Sequence, residues 1–547
     1  MISSTKRKFP DLINDDGEIS PLYKEIPYLP PFLVYEFFAS KNSFLLESVK
    51  GPEKIARYSF FGFDPYLIFK LKDGLIEIAT AEETLREPKF ITSFPRTRES
   101  RNKGMDFCRS LSRTLTRGRN DKKEKIFSSK KTISSGRPLN VLKELVGSYK
   151  QKPFEHLPPF QGGAVGILSY DFAKYLEKLP RNSLDDLNLP EAHFLMIDRL
   201  IVFDHLDKRC WIIVCPGARN IIEAENSKIL DWSVEYEKAK YEIERILKKV
   251  TGCKLSENPK SEIQSTESIK RIEIIYEMKK KEYMDIVKKV KEYIAAGDIF
   301  QANMAQRVSA NVGKVRPWSL YKILRSINPS PFAAFVDFGN YQIVSSSPER
   351  LIRVKGRIIE TRPIAGTRPR GKNTEEDEMM RTELLLNEKE RAEHVMLIDL
   401  ERNDLGRVSD YGTVHVDELM ITEDYSHVIH IVSNIKGNLA DGKDCFDAIK
   451  AAFPGGTITG VPKVRCMEII DELEQVQRGP YTGSIGYIGF SGNMDLNIII
   501  RTFVIKKNIA YVQVGAGIVA DSEPEREYYE TLKKAEALIR TLEKCKY

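Results

Sequence analysis

Asn497–Leu538, NIIIRTFVIKKNIAYVQVGAGIVADSEPEREYYETLKKAEAL, is the stretch that decides the fold. It opens with two apolar runs, NIIIRTFVI (497–505) and AYVQVGAGIVA (510–520), separated by four residues. Such a gap is too short for a parallel crossover, so adjacent strands of this kind must pair antiparallel. A helix is predicted over Glu525–Lys544, where apolar residues recur among Glu and Lys at helical spacing. Antiparallel strands followed by a helix point to α+β rather than a doubly wound α/β fold.

The same alternation extends outward. FAAFVDF (332–338), YQIVSSS (341–347), RLIRV (350–354) and SIGYIGF (484–490) read as strands, and Lys279–Ala296 and Glu375–Asp404 as helices. Further towards the N-terminus, SFLLESV, PYLIFKL, GLIEIA, AVGILSY, RLIVFD and CWIIVC read as strands, and Asp231–Val250 as a helix. A polar, aperiodic stretch at 254–270 reads as a linker. It divides the chain into an N-terminal region (1–253) and a C-terminal region (271–547). At 547 residues one very large domain or two interleaved ones are expected.

The net charge of +7 is concentrated in one place. Between Arg96 and Arg137 there are fourteen Lys/Arg against four Asp/Glu, a net of +10 that leaves −3 for the rest of the chain. This Ser/Arg/Lys-rich segment buries little apolar surface and reads as a mobile insertion. Apart from Phe107 and Phe127, which flank its densest part, no aromatic residues interleave its charges to stack bases, which argues against a nucleic-acid-binding protein acting through it. No run approaches the length of a membrane span. No apolar core follows the basic residues of MISSTKRKFPDLINDDGEIS, so no secretory signal is expected. Seven scattered cysteines without a C-x-x-C pair argue against a disulfide framework or zinc site and suit a reducing cytoplasm.

Two predicted helices each carry a Glu-x-x-Glu pair: Glu390 with Glu393, and Glu527 with Glu530, with Lys534 one turn beyond. An i,i+3 spacing puts both carboxylates of a pair on one face. Alone, either pair reads as a solvated acidic face. Four carboxylates from two helices would suit a hard cation such as Mg2+. Glycines cluster in PIAGTRPRG (363–371), FPGGTITGVPK (453–463), RGPYTGSIGYIG (478–489) and VGAGIV (514–519). Their exposed amides, with neighbouring hydroxyl and guanidinium groups, can receive carboxylates. No nucleotide-binding glycine motif is present.

LLES with RYSFFGFDP, then GDIFQANMAQR, INPSPF, SSSPERL, RPIAGTRPRG, ERAEHVMLIDLERNDLGRV, SHVIHIVS, FPGGTITGVPK, RGPYTGSIGYIGF and GAGIVADSEPEREYYETLKKA occur in that order. Together they resemble the chorismate-utilising enzymes: anthranilate synthase component I, aminodeoxychorismate synthase component I, and the isochorismate and salicylate synthases. The resemblance implies a sandwich of mainly antiparallel sheets flanked by helices, with the active site in the C-terminal region. It implies Mg2+ held by Glu393 and Glu530, with Glu390 and Glu527 completing an acidic shell. Thr457, Tyr481, Arg501, Gly515, Ala516, Gly517 and Lys534 resemble the groups that receive chorismate. Glu349 resembles the general acid for the departing C4 hydroxyl, and His430 the catalytic histidine. Ala365, Gly366 and Thr367 occupy the motif that separates the family's reactions. Glu47, Ser48, Asn328 and Pro329 resemble parts of a tryptophan feedback site.

Water-using members carry a lysine base where this chain has Gln301, so the resemblance implies amination. Aminodeoxychorismate synthases typically carry a lysine nucleophile where this chain has Ala365, which favours entry of ammonia at C2, loss of pyruvate and an anthranilate product. QANMAQR, INPSPFAAF, SSPERL, FPGGTITG and MDLNIIIR lie closer to aminodeoxychorismate synthases, so both readings stand. None of the seven cysteines sits in a glutaminase elbow. A separate glutamine amidotransferase subunit, and hence a hetero-oligomer, is expected to supply ammonia.

Overall fold

The computed structural model describes residues 13–14, 16–81, 127–221, 230–252, 272–425 and 428–545. Its strands form two twelve-stranded sheets, and every ladder between consecutive strands is antiparallel. This is the α+β sandwich expected from the strand spacing. Each sheet draws strands from both halves of the chain. In the first sheet Ser43–Glu47 pairs with Phe332–Asp337; in the second, Gly163–Leu168 pairs with Ser484–Gly489. The linker at 254–270 lies outside the described residues, but the halves it separates share both sheets.

The inner faces meet over Phe44, Phe60, Val165, Leu195, Val202, Trp211, Ala334, Ile343, Ile485 and Tyr487, all buried. Helices cover both outer faces. Pro524–Lys544 lays Ala535, Leu538 and Leu542 on the first sheet, and Glu388–Gly406 contributes Ile398 and Leu405 beside the second. Burial of these faces supplies the main drive for folding, because the alternation along each strand gives it one apolar side per layer.

Three sequence expectations are corrected. NIIIRTFVI is two strands rather than one: Met494–Ile498 lies in the second sheet and Thr502–Lys506 in the first. The chain turns between sheets at Ile499–Arg501, where Arg501 adopts φ +51°. Apolar residues flank the turn on both sides, because both sheets bury their strands, and only Arg501 and Thr502 interrupt them. The helix expected over Glu375–Asp404 is likewise two, Thr374–Leu386 and Glu388–Gly406. Asn387 divides them with extended backbone and caps the second, its Oδ1 accepting from the Glu390 amide at 3.0 Å. The basic segment also ends sooner than expected. Residues 82–126 lie outside those described, but Phe127–Ser134 is a strand on the edge of the second sheet, paired with Leu75–Ala81. An edge strand gains order from its ladder with few apolar residues of its own, so composition missed it.

Candidate active site

Two of the places where the polypeptide passes between the sheets lie side by side. One crossing joins Thr502–Lys506 to Met494–Ile498 as just described. The other lies at Pro348–Glu349, between Tyr341–Ser347 in the first sheet and Arg350–Lys355 in the second. They are tied together: the Ile498 amide donates to the Glu349 carbonyl at 3.0 Å, and Ser347 Oγ donates to the Ile498 carbonyl at 2.5 Å. A strand leaving a sheet must turn its side chains out of the regular alternation. Glu349 and Arg501 therefore face one another's surroundings instead of the sandwich core.

Burial raises the Glu349 carboxyl to about 7. Thr457, the Ile364 amide, and the charges of Arg501 and Lys534 counter only part of that effect. Thr457 lies near enough to favour the charged carboxyl, yet Glu349 Oε1 and Thr457 Oγ1 are both buried and neither completes a well-formed hydrogen bond. Arg501 is partly accessible; burial lowers its pKa, and no ion pair to it is found among the described residues.

His430 lies on Val428–Asn438, opposite Thr367 of Ile364–Pro369. The ladder slips by one residue between Ala365 and Thr367, which makes Gly366 a bulge. Gly366 has φ +62°, and a side chain there would be strained and would displace the Glu390 carboxylate, which favours glycine. Burial lowers His430 to about 4, so the ring is neutral at ordinary pH. Its Nδ1 lies 3.0 Å from Thr367 Oγ1 and 3.1 Å from the Gly366 carbonyl, while Nε2 is buried without a partner. Tyr425 packs edge-on against the ring with centroids 5.1 Å apart.

Ile509–Ile518 forms another wall, with Gly515, Ala516 and Gly517 opposite Ala305, Met304 and Asn303. A side chain at Gly515 would come within 2.9 Å of the Tyr481 hydroxyl, so glycine lets Tyr481 approach the strand. Tyr481 is buried, which raises its pKa and keeps the hydroxyl protonated. Lys534 donates to the Gly515 carbonyl at 3.1 Å and pairs with Glu530 at 2.9 Å.

The structure brings all four helix carboxylates into mutual electrostatic reach. Burial raises Glu393, and Glu390, Glu530 and Glu527 raise it further against Lys389. Glu527 is raised by burial and by Glu530. For Glu530, burial is outweighed by Lys534 and its pKa falls. Arg368 holds Glu390 Oε1 at 2.6 Å, while Glu390 Oε2 is buried without a partner. Among the described residues no three His, Cys, Asp or Glu side chains converge as an assembled metal cluster. The donor set is nonetheless all oxygen, with an orphaned carboxylate atom and mutual repulsion that a divalent cation would relieve. The residues fit Mg2+.

Of the site residues proposed from sequence, Thr457, Arg501 and Lys534 lie within electrostatic or hydrogen-bond reach of Glu349, and His430 within reach of Arg501. Sequence reasoning missed Asn303, whose Oδ1 is buried and unpartnered, and Tyr425, although both lie in or beside quoted motifs. Buried polar atoms almost always find partners. Glu349 Oε1, Thr457 Oγ1, His430 Nε2, Glu390 Oε2 and Asn303 Oδ1 all lack one, which marks a place built for a ligand.

A separate cavity of ≈ 400 Å3 lies between the sheets, lined by Glu47, Ser48, Lys54, Tyr58, Pro331 and Arg353 among others. Glu47 is held by the Tyr321 hydroxyl at 2.6 Å and Arg325 Nε at 2.8 Å. Asn328 and Pro329 are not in its wall; Asn328 Nδ2 donates to Ser346 Oγ at 2.9 Å instead. Pro331 and Phe332, the latter opening the strand Phe332–Asp337, line the cavity.

Residues 99–540 match the chorismate binding enzyme family. The chain is 41% identical to anthranilate synthase component 1 of Acetivibrio thermocellus over 94% of this chain and 93% of the relative. It is 40% identical to aminodeoxychorismate synthase component 1 of Bacillus subtilis (strain 168) over 96% and 97%. Its structure is similar to that of anthranilate synthase component I from Streptococcus pneumoniae TIGR4, with a TM-score of 0.68, 30% identity, and coverage of 94% of this chain and 99% of the other. With its motifs, its sandwich and its ring of unpartnered polar atoms in agreement with these likenesses, the chain belongs to the family of chorismate binding enzymes.

Proposed function

We propose that the protein is the synthase subunit of an anthranilate synthase, converting chorismate and ammonia to anthranilate, pyruvate and water. The observation that carries this reading is Ala365. It sits beside the Gly366 bulge and the His430–Thr367 pair, where an amine would have to stand to attack the ring covalently.

In this reading Arg501, Lys534 and Tyr481 receive the two carboxylates of chorismate, a task that needs fixed positive charge and a protonated hydroxyl. Glu349 gives its proton to the C4 hydroxyl as it leaves as water, and ammonia forms the new bond at C2. Loss of the C2 hydrogen and breakage of the C3 ether bond then aromatise the ring and release the side chain as pyruvate. The vacant Nε2 of neutral His430 is a base able to take that hydrogen as a proton. Mg2+, held by Glu393 and Glu530 with Glu390 and Glu527 around them, would supply Lewis-acid charge to a ring carboxylate.

Ammonia would come from a glutamine amidotransferase partner. The name component 1 given to the relatives is consistent with such a pairing. A second reading, aminodeoxychorismate synthesis, is favoured by the similarly high identity to the Bacillus subtilis relative. The deciding experiment gives the purified chain chorismate, Mg2+ and ammonium. Equal amounts of anthranilate and pyruvate are expected. Accumulation of aminodeoxychorismate without anthranilate would overturn the first reading in favour of the second.

A further inference from the structure

Behind Glu349 lies a buried carboxyl that none of the foregoing uses. Glu401, on Glu388–Gly406, is 3% exposed and has its Oε2 3.0 Å from Thr361 Oγ1. Thr361 is itself buried, and its hydroxyl lies 2.8 Å from the Leu351 carbonyl. A hydroxyl has one hydrogen, and these two contacts compete for it.

The geometry decides between them. Leu351 falls in an irregularity of both ladders of its strand: the pairing with Ile358–Arg362 jumps from Arg350 to Arg353, and that with Met494–Ile498 jumps from Arg350 to Ile352. Of the two contacts, the one to the Leu351 carbonyl is the shorter, 2.8 against 3.0 Å, and a carbonyl can only accept, whereas a carboxyl can also donate. With the Thr361 hydrogen committed to Leu351, the hydrogen in the Thr361–Glu401 contact has to come from Glu401. We infer that Glu401 is a neutral carboxylic acid, donating to Thr361, and that it is a positioning residue holding the strand that carries Glu349 while placing no negative charge beside it.

The charges around Glu401 agree with that state. Asp404, one turn on along the same helix, is bound by Lys463 Nζ at 2.6 Å. Lys463 opens the helix Lys463–Leu473, which follows the turn carrying Thr457, and is committed to Asp404 and, at 3.2 Å, to the Ala452 carbonyl. Leu400 fills the space over Gly456 of that turn, which seats its own helix against it. Glu349 faces Glu401 from the strand side. Burial, then the charge of Asp404, pushes Glu401 up to about 8, with Glu349 adding to the rise and Lys463 and the Thr361 contact opposing it. A second carboxylate there would hinder Glu349 from ionising once its proton has been delivered.

The inference rests on the reading of Glu349 as the acid, and the test separates the two. Chorismate amination by the full chain with Mg2+ and ammonium is measured against pH for the wild type, Glu401→Gln and Glu401→Ala. Glutamine is neutral and can donate to Thr361. Its variant should keep the alkaline limb where the wild type has it, whereas Glu401→Ala should lower kcat about tenfold, a loss that Gln largely restores. If Glu401 were a carboxylate, Glu401→Gln would remove a negative neighbour. The limb would then move to lower pH by about one unit or more, which overturns the inference. Independently of activity, the infrared difference between the wild type and Glu401→Gln at pH 7 should show a protonated-carboxyl stretch lost from the variant. Its absence would also overturn the inference. Full activity in Glu349→Gln would sink only the catalytic reading of Glu349, because the infrared band reports on the Glu401 proton alone.

Discussion

His430 Nδ1 lies 3.1 Å from the Gly366 carbonyl, and that contact determines which ring nitrogen is available. The carbonyl only accepts, so Nδ1 carries the hydrogen and Nε2 presents a bare lone pair. Asparagine at 430 could reproduce the donor but not the distal base. Replacing His430 with Asn should lower kcat about a hundredfold or more with a small change in KM. A variant that loses affinity at unchanged kcat would make His430 a binding group.

Glu349→Gln should lower kcat by about 10²–10⁴-fold with little effect on the apparent affinity for chorismate. In the wild type the carboxyl raised to about 7 is protonated below that pH and ionised above it. An acid acts in its protonated form, so kcat should fall as pH rises through about 7. The corresponding limb should vanish in the variant. Retention of the limb would assign it to another group.

Glu393→Gln and Glu530→Gln should each abolish nearly all activity at limiting magnesium and leave the fold intact, since each removes an oxygen donor from an all-carboxylate set. Titrating Mg2+ against rate, with circular dichroism as the check on folding, tests both. Wild-type activity at limiting magnesium in either variant would remove that residue from the metal site.

Arg501→Met should raise KM for chorismate about tenfold to a hundredfold, yet leave Tm unchanged or higher. The guanidinium has no ion-pair partner among the described residues and burial lowers its pKa, so its charge is a cost to the free protein. A Tm lower by several degrees would show that Arg501 supports the crossing between sheets, where it holds φ +51°.

Ala365→Lys should impair the C2 amination on which the anthranilate reading depends, because a lysine amine would compete with ammonia for that carbon. Anthranilate formation from ammonium measures it. An undiminished rate would mean that position 365 does not face the reacting ring.

Local chemistry was readable from the chain itself. The four-residue gap between apolar runs dictated antiparallel pairing, and Glu-x-x-Glu spacing placed the carboxylates of each pair on one helix face, because both are consequences of backbone geometry within a few residues. The ordered motifs around Glu349, Gly366, His430 and Arg501 identified the family. Tertiary structure alone decided where those pieces meet. Ile498 and Thr502 are four residues apart in a largely apolar run, yet they lie in different sheets, since each sheet buries its strands and apolarity says nothing of which. Asn387 became a cap because the chain bends there, dividing what periodicity read as one helix. The strand at Phe127–Ser134 owes its order to a ladder with Leu75–Ala81 that its basic composition does not announce. The proton inferred on Glu401 rests on the Thr361 hydroxyl, whose single hydrogen meets both the Leu351 carbonyl and Glu401. Hydrogen-bond satisfaction is a property of all the groups that meet at a point, and they come together only when the sheets are assembled.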